Sequence, residues 1–127
     1  MSGDAVVARA RAAIGVRFRP RGRTPAGGLD CVGLVGWAHD QVVAGGYAMR
    51  SGDVARVGAA VAAAGLVAAE GRAPGDLVLL ASGAGQIHLG IDSGTGLIHA
   101  DAMLGRVVER PDPLPWPVIG RWRKWEE

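Results

Sequence analysis

The feature that most limits how this chain can fold is a change of pattern at Pro74. Before it, apolar residues recur with helical spacing in segments broken by glycine and proline. After it come five short β-rich runs, DLVLLA (76–81), QIHLGID (86–92), GLIHAD (96–101), GRVVER (105–110) and VIGRWRKW (118–125), each bounded by turn residues. Helices first and strands second predict an α+β domain with a mainly antiparallel sheet of five to six strands. At 127 residues the chain suits one domain, 1–127, with a single core. Hydrophobic residues make up 49% of it, but with one Phe and one Tyr the packing must rest on small aliphatic side chains and four tryptophans.

Within the helical half, DAVVARARAAI (4–14) predicts an amphipathic helix with Asp4 as its cap and Gly15 as its stop. VRFRPRGRTPAGGLD (16–30) holds two prolines and three glycines among basic residues and reads as a long loop, a length that commonly carries function. CVGLVGWAHDQVVA (31–44) puts Val32, Leu34, Val35, Ala38, Val42 and Val43 on one helical stripe, stopped by Gly45 and Gly46. Its internal Gly33 and Gly36 each cost about 1 kcal/mol in an exposed helix, which predicts close approach to a neighbouring backbone. Asp53 to Ala64 reads as a further helix ended by Gly65.

The formal net charge is +2, with basic residues gathered at Arg17, Arg19, Arg21 and Arg23 and again at Arg121, Arg123 and Lys124. That balance suits an anionic surface, nucleic acid or cell wall among them, and selects none. The RWRKW segment has the interleaving that stacks on bases, but alternation at a chain end reads better as an edge strand with one polar face, so no nucleic-acid partner is expected. The first residues carry Asp4 and arginines inside their apolar stretch and no cleavage-like end, unlike a secretory signal. No run approaches the roughly 18 apolar residues of a membrane span. The expectation is synthesis in the cytoplasm, export by another route and no membrane partner.

Cys31 is the only cysteine, which excludes an intramolecular disulfide framework and a thiolate zinc cluster. It is either a small buried hydrophobe or a reactive thiol. A thiol of pKa about 8.5 becomes a nucleophile by losing its proton, and a helix N-terminus lowers that value by only about one unit. Strong activation needs an imidazole. His39 lies eight residues along the same helix, about 12 Å away at 1.5 Å per residue, and cannot serve. His88 and His99 flank DSGTG, a hairpin signal. A two- or four-residue loop pairs positions summing to 189, sets His88 opposite Asp101 and His99 opposite Gly90, and makes the two imidazoles diagonal neighbours on one face. A three-residue loop separates them. Ile87, Leu89, Ile91, Ile98 and Ala100 then form the core face. A nucleophile, base and orienting group follow as Cys31, His88 and His99, with backbone N–H groups at the helix start for an oxyanion. A metal site from the same three residues lacks a fourth ligand, so neither metal nor cofactor is expected.

GLDCVGLV, PGDLVLL (74–80), IHLGID and LIHAD together, in order and spacing, closely resemble the NlpC superfamily of cell-wall cysteine peptidases, over about residues 4 to 125. The resemblance implies a compact papain-like fold with the cysteine at a helix N-terminus packed on the sheet. It also implies hydrolysis of amide bonds in peptidoglycan stem peptides, often between D-γ-glutamyl and diaminopimelate. Position by position, Cys31 matches the nucleophile, His88 the base, His99 the orienting residue and Asp30 an aspartate that meets the free amine of the stem peptide. Val32 stands where relatives usually have serine. Phe18 stands where they commonly have a tyrosine of the oxyanion hole, and its flanking arginines offer a carboxylate contact. The style of RGRTPAGGLDCVGLV resembles stand-alone peptidases of phage tails and gene-transfer particles. Two other readings stand beside this one: a particle assembly protein that keeps the fold with weak activity, and an acyl transferase or amidase on another substrate.

Overall fold

The computed structural model describes residues 1–41, 43 and 52–124. Helix α1 (Gly3–Ala12) starts one residue earlier than predicted: the Ser2 hydroxyl, not Asp4, caps it by accepting the Ala5 N–H at 3.1 Å. Asp4 sits in the first turn, where a negative charge favours the helix dipole. The predicted loop 16–30 contains a two-stranded ribbon, β1 (Arg23–Thr24) and β2 (Gly28–Leu29), and Phe18 bridges to Leu29.

Helix α2 (Cys31–His39) is five residues shorter than the predicted 31–44. Asp40 takes the left-handed conformation with φ 55° and returns its N–H to the Gly36 and Trp37 carbonyls, which ends the helix. Aspartate tolerates this region better than most residues, and the apolar stripe alone does not reveal it. The Gly45 and Gly46 stop lies outside the described residues. Helix α3 (Val54–Ala63) matches its prediction, capped by Asp53, which accepts from the Arg56 N–H, and followed by Gly65 at φ 93°.

The sheet has six strands in the order β3-β8-β4-β5-β6-β7, all antiparallel. Its strands are β3 (Leu66–Ala68), β4 (Leu77–Gly83), β5 (Gln86–Asp92), β6 (Gly96–Asp101), β7 (Arg106–Pro111) and β8 (Val118–Lys124). Strand β3 is three residues long and escapes pattern reading. Its presence corrects one expectation: β8 pairs with β3 on one side and β4 on the other, so the RWRK segment is internal rather than an edge.

The alternation within β8 is nonetheless as expected. Trp122 packs against the main core, while Arg121 and Arg123 point to buried carboxylates. Arg121 bridges Asp76 at 2.7 Å and Asp92 at 3.0 Å, Arg123 holds Asp76 at 2.9 Å, and Arg72 holds Asp92 at 2.9 Å. The C-terminal arginines are therefore spent inside the fold. Removing one member of such a cluster strands a buried charge, which costs far more than an exposed pair.

One face of the sheet meets Leu34, Val35 and Ala38 of α2 through Leu79, Leu89, Ile91, Ile98 and Ala100. These include the residues predicted for the core face of the hairpin, with Ile87 partly buried at its margin. Val78, Leu80 and Leu97 face the other way, under Leu114 and Trp116.

Candidate active site

Cys31 is the first residue of α2 because Asp30 caps the helix there. The Asp30 carboxylate accepts from the Gly33 N–H at 2.8 Å, and Leu34 N–H begins the helical ladder on the Asp30 carbonyl at 2.9 Å. The N–H groups of Cys31 and Val32 are not taken up by the cap, and both favour the thiolate of Cys31. Both lie at the positive end of the helix, beside the sulfur.

The hairpin decides the histidines. Ile91 pairs with Ile98 and Asp92 with Leu97, so paired positions sum to 189 and the intervening loop is Ser93 to Gly96. This is the register that makes His88 and His99 diagonal neighbours. His88 Nε2 and His99 Nδ1 are 3.0 Å apart, with ring planes at 87°. His88 also pairs in register with Leu80 of β4, and His99 with Val108 of β7, so both come from the middle of a sheet rather than from a mobile loop.

The two imidazoles line an open cleft of about 440 Å³ together with Gln86, Asp101, Arg110 and Trp116. Trp116 stands edge-to-face on both, 5.7 Å from His88 and 5.6 Å from His99. Burial pushes the His88 pKa down to about 4, the neighbouring His99 adds to this, and Asp101 opposes it. Burial and the charge of Arg110 also lower His99, again against Asp101.

Cys31 as a residue is partly exposed, but loss of solvation pushes its thiol up to about 11. The backbone of Leu89, the residue after His88, pulls the value down, the charge of Asp30 raises it, and the backbone at Val32 and Cys31 lowers it. Cys31 thus sits against the strand that carries His88. No hydrogen bond joins the thiol to His88 among the described residues. Both groups rest neutral at pH 7, so the proton must move during attack.

The two expected substrate contacts have internal work. Asp30 also accepts from the Arg21 N–H at 2.8 Å and pairs with Arg23 at 2.8 Å, so three internal donors occupy its carboxylate. Phe18 is partly buried against the main core, and its N–H donates to the Gly105 carbonyl at 2.8 Å. Val32 is buried in the same core. His39, set aside on distance, is fully buried at the far end of α2, and neither ring nitrogen has a hydrogen-bond partner among the described residues. Also among the described residues, no group of three His, Cys, Asp or Glu side chains is placed to hold a metal ion.

Pattern reading missed Trp116 and Arg110. Trp116 lies in PLPWP, which has no period, and only the return of the chain over β5 and β6 brings it to the histidines. Asp101 had a signal, its place opposite His88 in the 189 register.

A helix headed by Cys31 and laid on a mainly antiparallel six-stranded sheet is the layout of the NlpC/p60 fold, which the chain shares. Among solved structures it is similar to NlpC1 from Trichomonas vaginalis, at 22% identity over 96% of this chain with a TM-score of 0.68. It is also similar to the NlpC/p60 domain of the peptidoglycan hydrolase SagA, at 25% identity over 87% of this chain and 90% of that one, TM-score 0.62. A third is the P60 domain of M. avium subspecies paratuberculosis antigen MAP1204, at 21% identity over 96% of this chain and 93% of that one, TM-score 0.62. The chain spans 45% of the length of the Trichomonas NlpC1 chain and 47% of that of NlpC2 from the same organism. No protein-family profile and no curated protein matches it.

Proposed function

We propose that the protein is a cysteine peptidase that hydrolyses amide bonds in bacterial peptidoglycan stem peptides, the bond between D-γ-glutamyl and diaminopimelate being the leading candidate. The observation that carries this reading is the 3.0 Å contact between His88 and His99 on the hairpin whose Leu89 abuts Cys31 at the head of α2. Likeness in fold to a peptidoglycan hydrolase domain supports it.

The chemistry follows from which atoms are free. His88 Nε2 is engaged by His99, so His88 works through Nδ1. As the Cys31 sulfur attacks the amide carbonyl, its proton passes to His88 Nδ1. The oxygen of the tetrahedral intermediate gains negative charge, and the N–H groups of Cys31 and Val32 at the head of α2 are suited to receive it. His88 returns the proton to the leaving nitrogen, the C–N bond breaks and a thioester remains. Water, losing a proton to His88, attacks the thioester; collapse releases the carboxylic acid and restores the thiol. His99 keeps the His88 ring in place throughout.

Cys31→Ala and His88→Ala are expected to abolish cleavage of purified muropeptides, read by mass spectrometry, while circular dichroism stays unchanged. Cleavage by the Cys31→Ala protein at the wild-type rate ends the proposal. A second reading, a domain that keeps the fold as part of a particle with weak activity, is favoured by the resting thiol near 11 and its lack of a hydrogen bond to His88. It is distinguished by wild-type protein that leaves every muropeptide intact. Carriage to the wall by a phage-like particle rests on the sequence around Cys31 alone and is tested by co-purification with particles.

A further inference from the structure

The cleft beside the imidazoles holds a cation that no acid neutralises. Among the described residues that line it, the charged side chains besides the histidines are Asp101 and Arg110. In the β6–β7 register Val108 pairs with His99 and Arg110 with Leu97, so the Arg110 and His99 side chains emerge on one side of the sheet. Arg110 is exposed, and its guanidinium carbon lies over the Trp116 ring, 5.7 Å from the centre. Burial lowers the His99 pKa and the charge of Arg110 adds to it, so the guanidinium is within electrostatic reach of the imidazole. Arg110 makes no hydrogen bond or ion pair among the described residues. The acids around it are committed elsewhere. Asp101 accepts from the N–H groups of Met103 at 2.8 Å and Leu104 at 3.0 Å. Glu109, the residue before Arg110, holds Arg11 of α1 at 3.0 Å, and Asp112 holds Arg72 at 2.8 Å.

Resting on the peptidase reading for the identity of the ligand, we infer that Arg110 is a specificity-determining residue: its guanidinium, backed by Trp116, receives a free carboxylate of the stem peptide next to the bond to be cut. A planar guanidinium offers two parallel N–H groups to a carboxylate, and both bonds are strengthened by charge. Attraction to the indole keeps the long side chain at the cleft, which reduces the freedom lost on binding. A carboxamide in the same place has the same shape but no charge, and one of its two acceptor oxygens becomes an NH₂ donor facing another donor. The cleft therefore separates stem peptides with a free carboxylate from amidated ones. Two carboxylates flank the candidate bond, the α-carboxylate of D-glutamyl and the free carboxylate of diaminopimelate, and their chemistry toward Arg110 is the same.

The test is calorimetric titration of the Cys31→Ala protein with the tetrapeptide L-alanyl-γ-D-glutamyl-diaminopimelyl-D-alanine and with two analogues, one amidated at each of those carboxylates. One amidation is expected to weaken binding about tenfold and the other to leave it within about twofold, which identifies the carboxylate that Arg110 holds. In the same background Arg110→Gln is expected to bind all three peptides about equally and at the weaker affinity, while Arg110→Lys retains part of the preference. Loss of packing on Trp116 alone would weaken all three alike and leave the preference in place. The inference is overturned if the protein with Arg110 binds the three peptides equally, or binds none at millimolar concentration, or if Arg110→Gln keeps the preference. Titration needs no cleavage, so wild-type protein that cuts no muropeptide while the Arg110-dependent preference holds refutes the peptidase reading and leaves this inference standing. Active protein without the preference does the reverse.

Discussion

At the scale of single residues, Asp30 is the clearest case of one side chain with several obligations. It caps α2 at Gly33, receives the Arg21 N–H and pairs with Arg23. Asp30→Ala is expected to lose about 1–2 kcal/mol of stability through the cap. Asp30→Asn keeps an oxygen for Gly33 and is expected to stay within about 1 kcal/mol of wild type, since the partly exposed Arg23 pair contributes little; urea unfolding of the two variants checks this. If an amine of the substrate also meets this carboxylate, Asp30→Asn raises KM in muropeptide cleavage while its unfolding curve barely moves. Val32 follows the same logic from the apolar side, for it fills core volume where a serine would bury a hydroxyl. The place of Cys31 at a helix start and the meeting of His88 with His99 were legible because each residue type is rare in the chain and stands at a position with a defined direction: a helix start, or a strand of known register.

At the scale of elements, the period-two runs predicted five strands well, since a strand buried on one face must alternate. Helix boundaries were less legible. The apolar stripe of α2 continues beyond His39, but Asp40 in a left-handed conformation ends the helix first. The glycine reading held: a Cβ at Gly33 would collide with the Gly22 carbonyl, and one at Gly36 would crowd the Gln41 carbonyl. Gly33→Ala must therefore push α2 away from the ribbon segment, at an expected cost of about 1–3 kcal/mol. A thermal melt measures that loss. Because Cys31 opens the same helix, activity at a temperature where the variant is folded should fall as well. An unchanged melting temperature would mean that the Gly22 carbonyl yields at no cost.

Over the whole molecule, buried histidines make stability depend on pH. The unfolded His39 takes up a proton near its ordinary pKa of 6.5, whereas burial lowers it in the folded state to about 4. Between those values the unfolded state binds more protons, so the His39 contribution is complete above pH 6.5 and is lost as pH falls toward 4. The difference amounts to roughly 3 kcal/mol. His88, also near 4, acts in the same direction. Urea unfolding at pH 7 and pH 4.5 is expected to show the loss, and His39→Leu is expected to flatten it; equal slopes in both proteins would remove His39 as its source.

By itself the sequence determined the order of the three described helices and of five strands, the hairpin register that joins His88 to His99 and the place of Cys31 at a helix start, because these follow from periods, turn residues and local spacing. Tertiary structure alone decided the rest. It set β8 inside the sheet by supplying β3, and it neutralised Arg121 and Arg123 on Asp76 and Asp92 across 29 to 47 residues of chain. It also brought Trp116 onto both imidazoles. Contacts between segments far apart in the chain leave no period in the sequence, and the solvation of Cys31, His39 and His88 depends on what those segments cover.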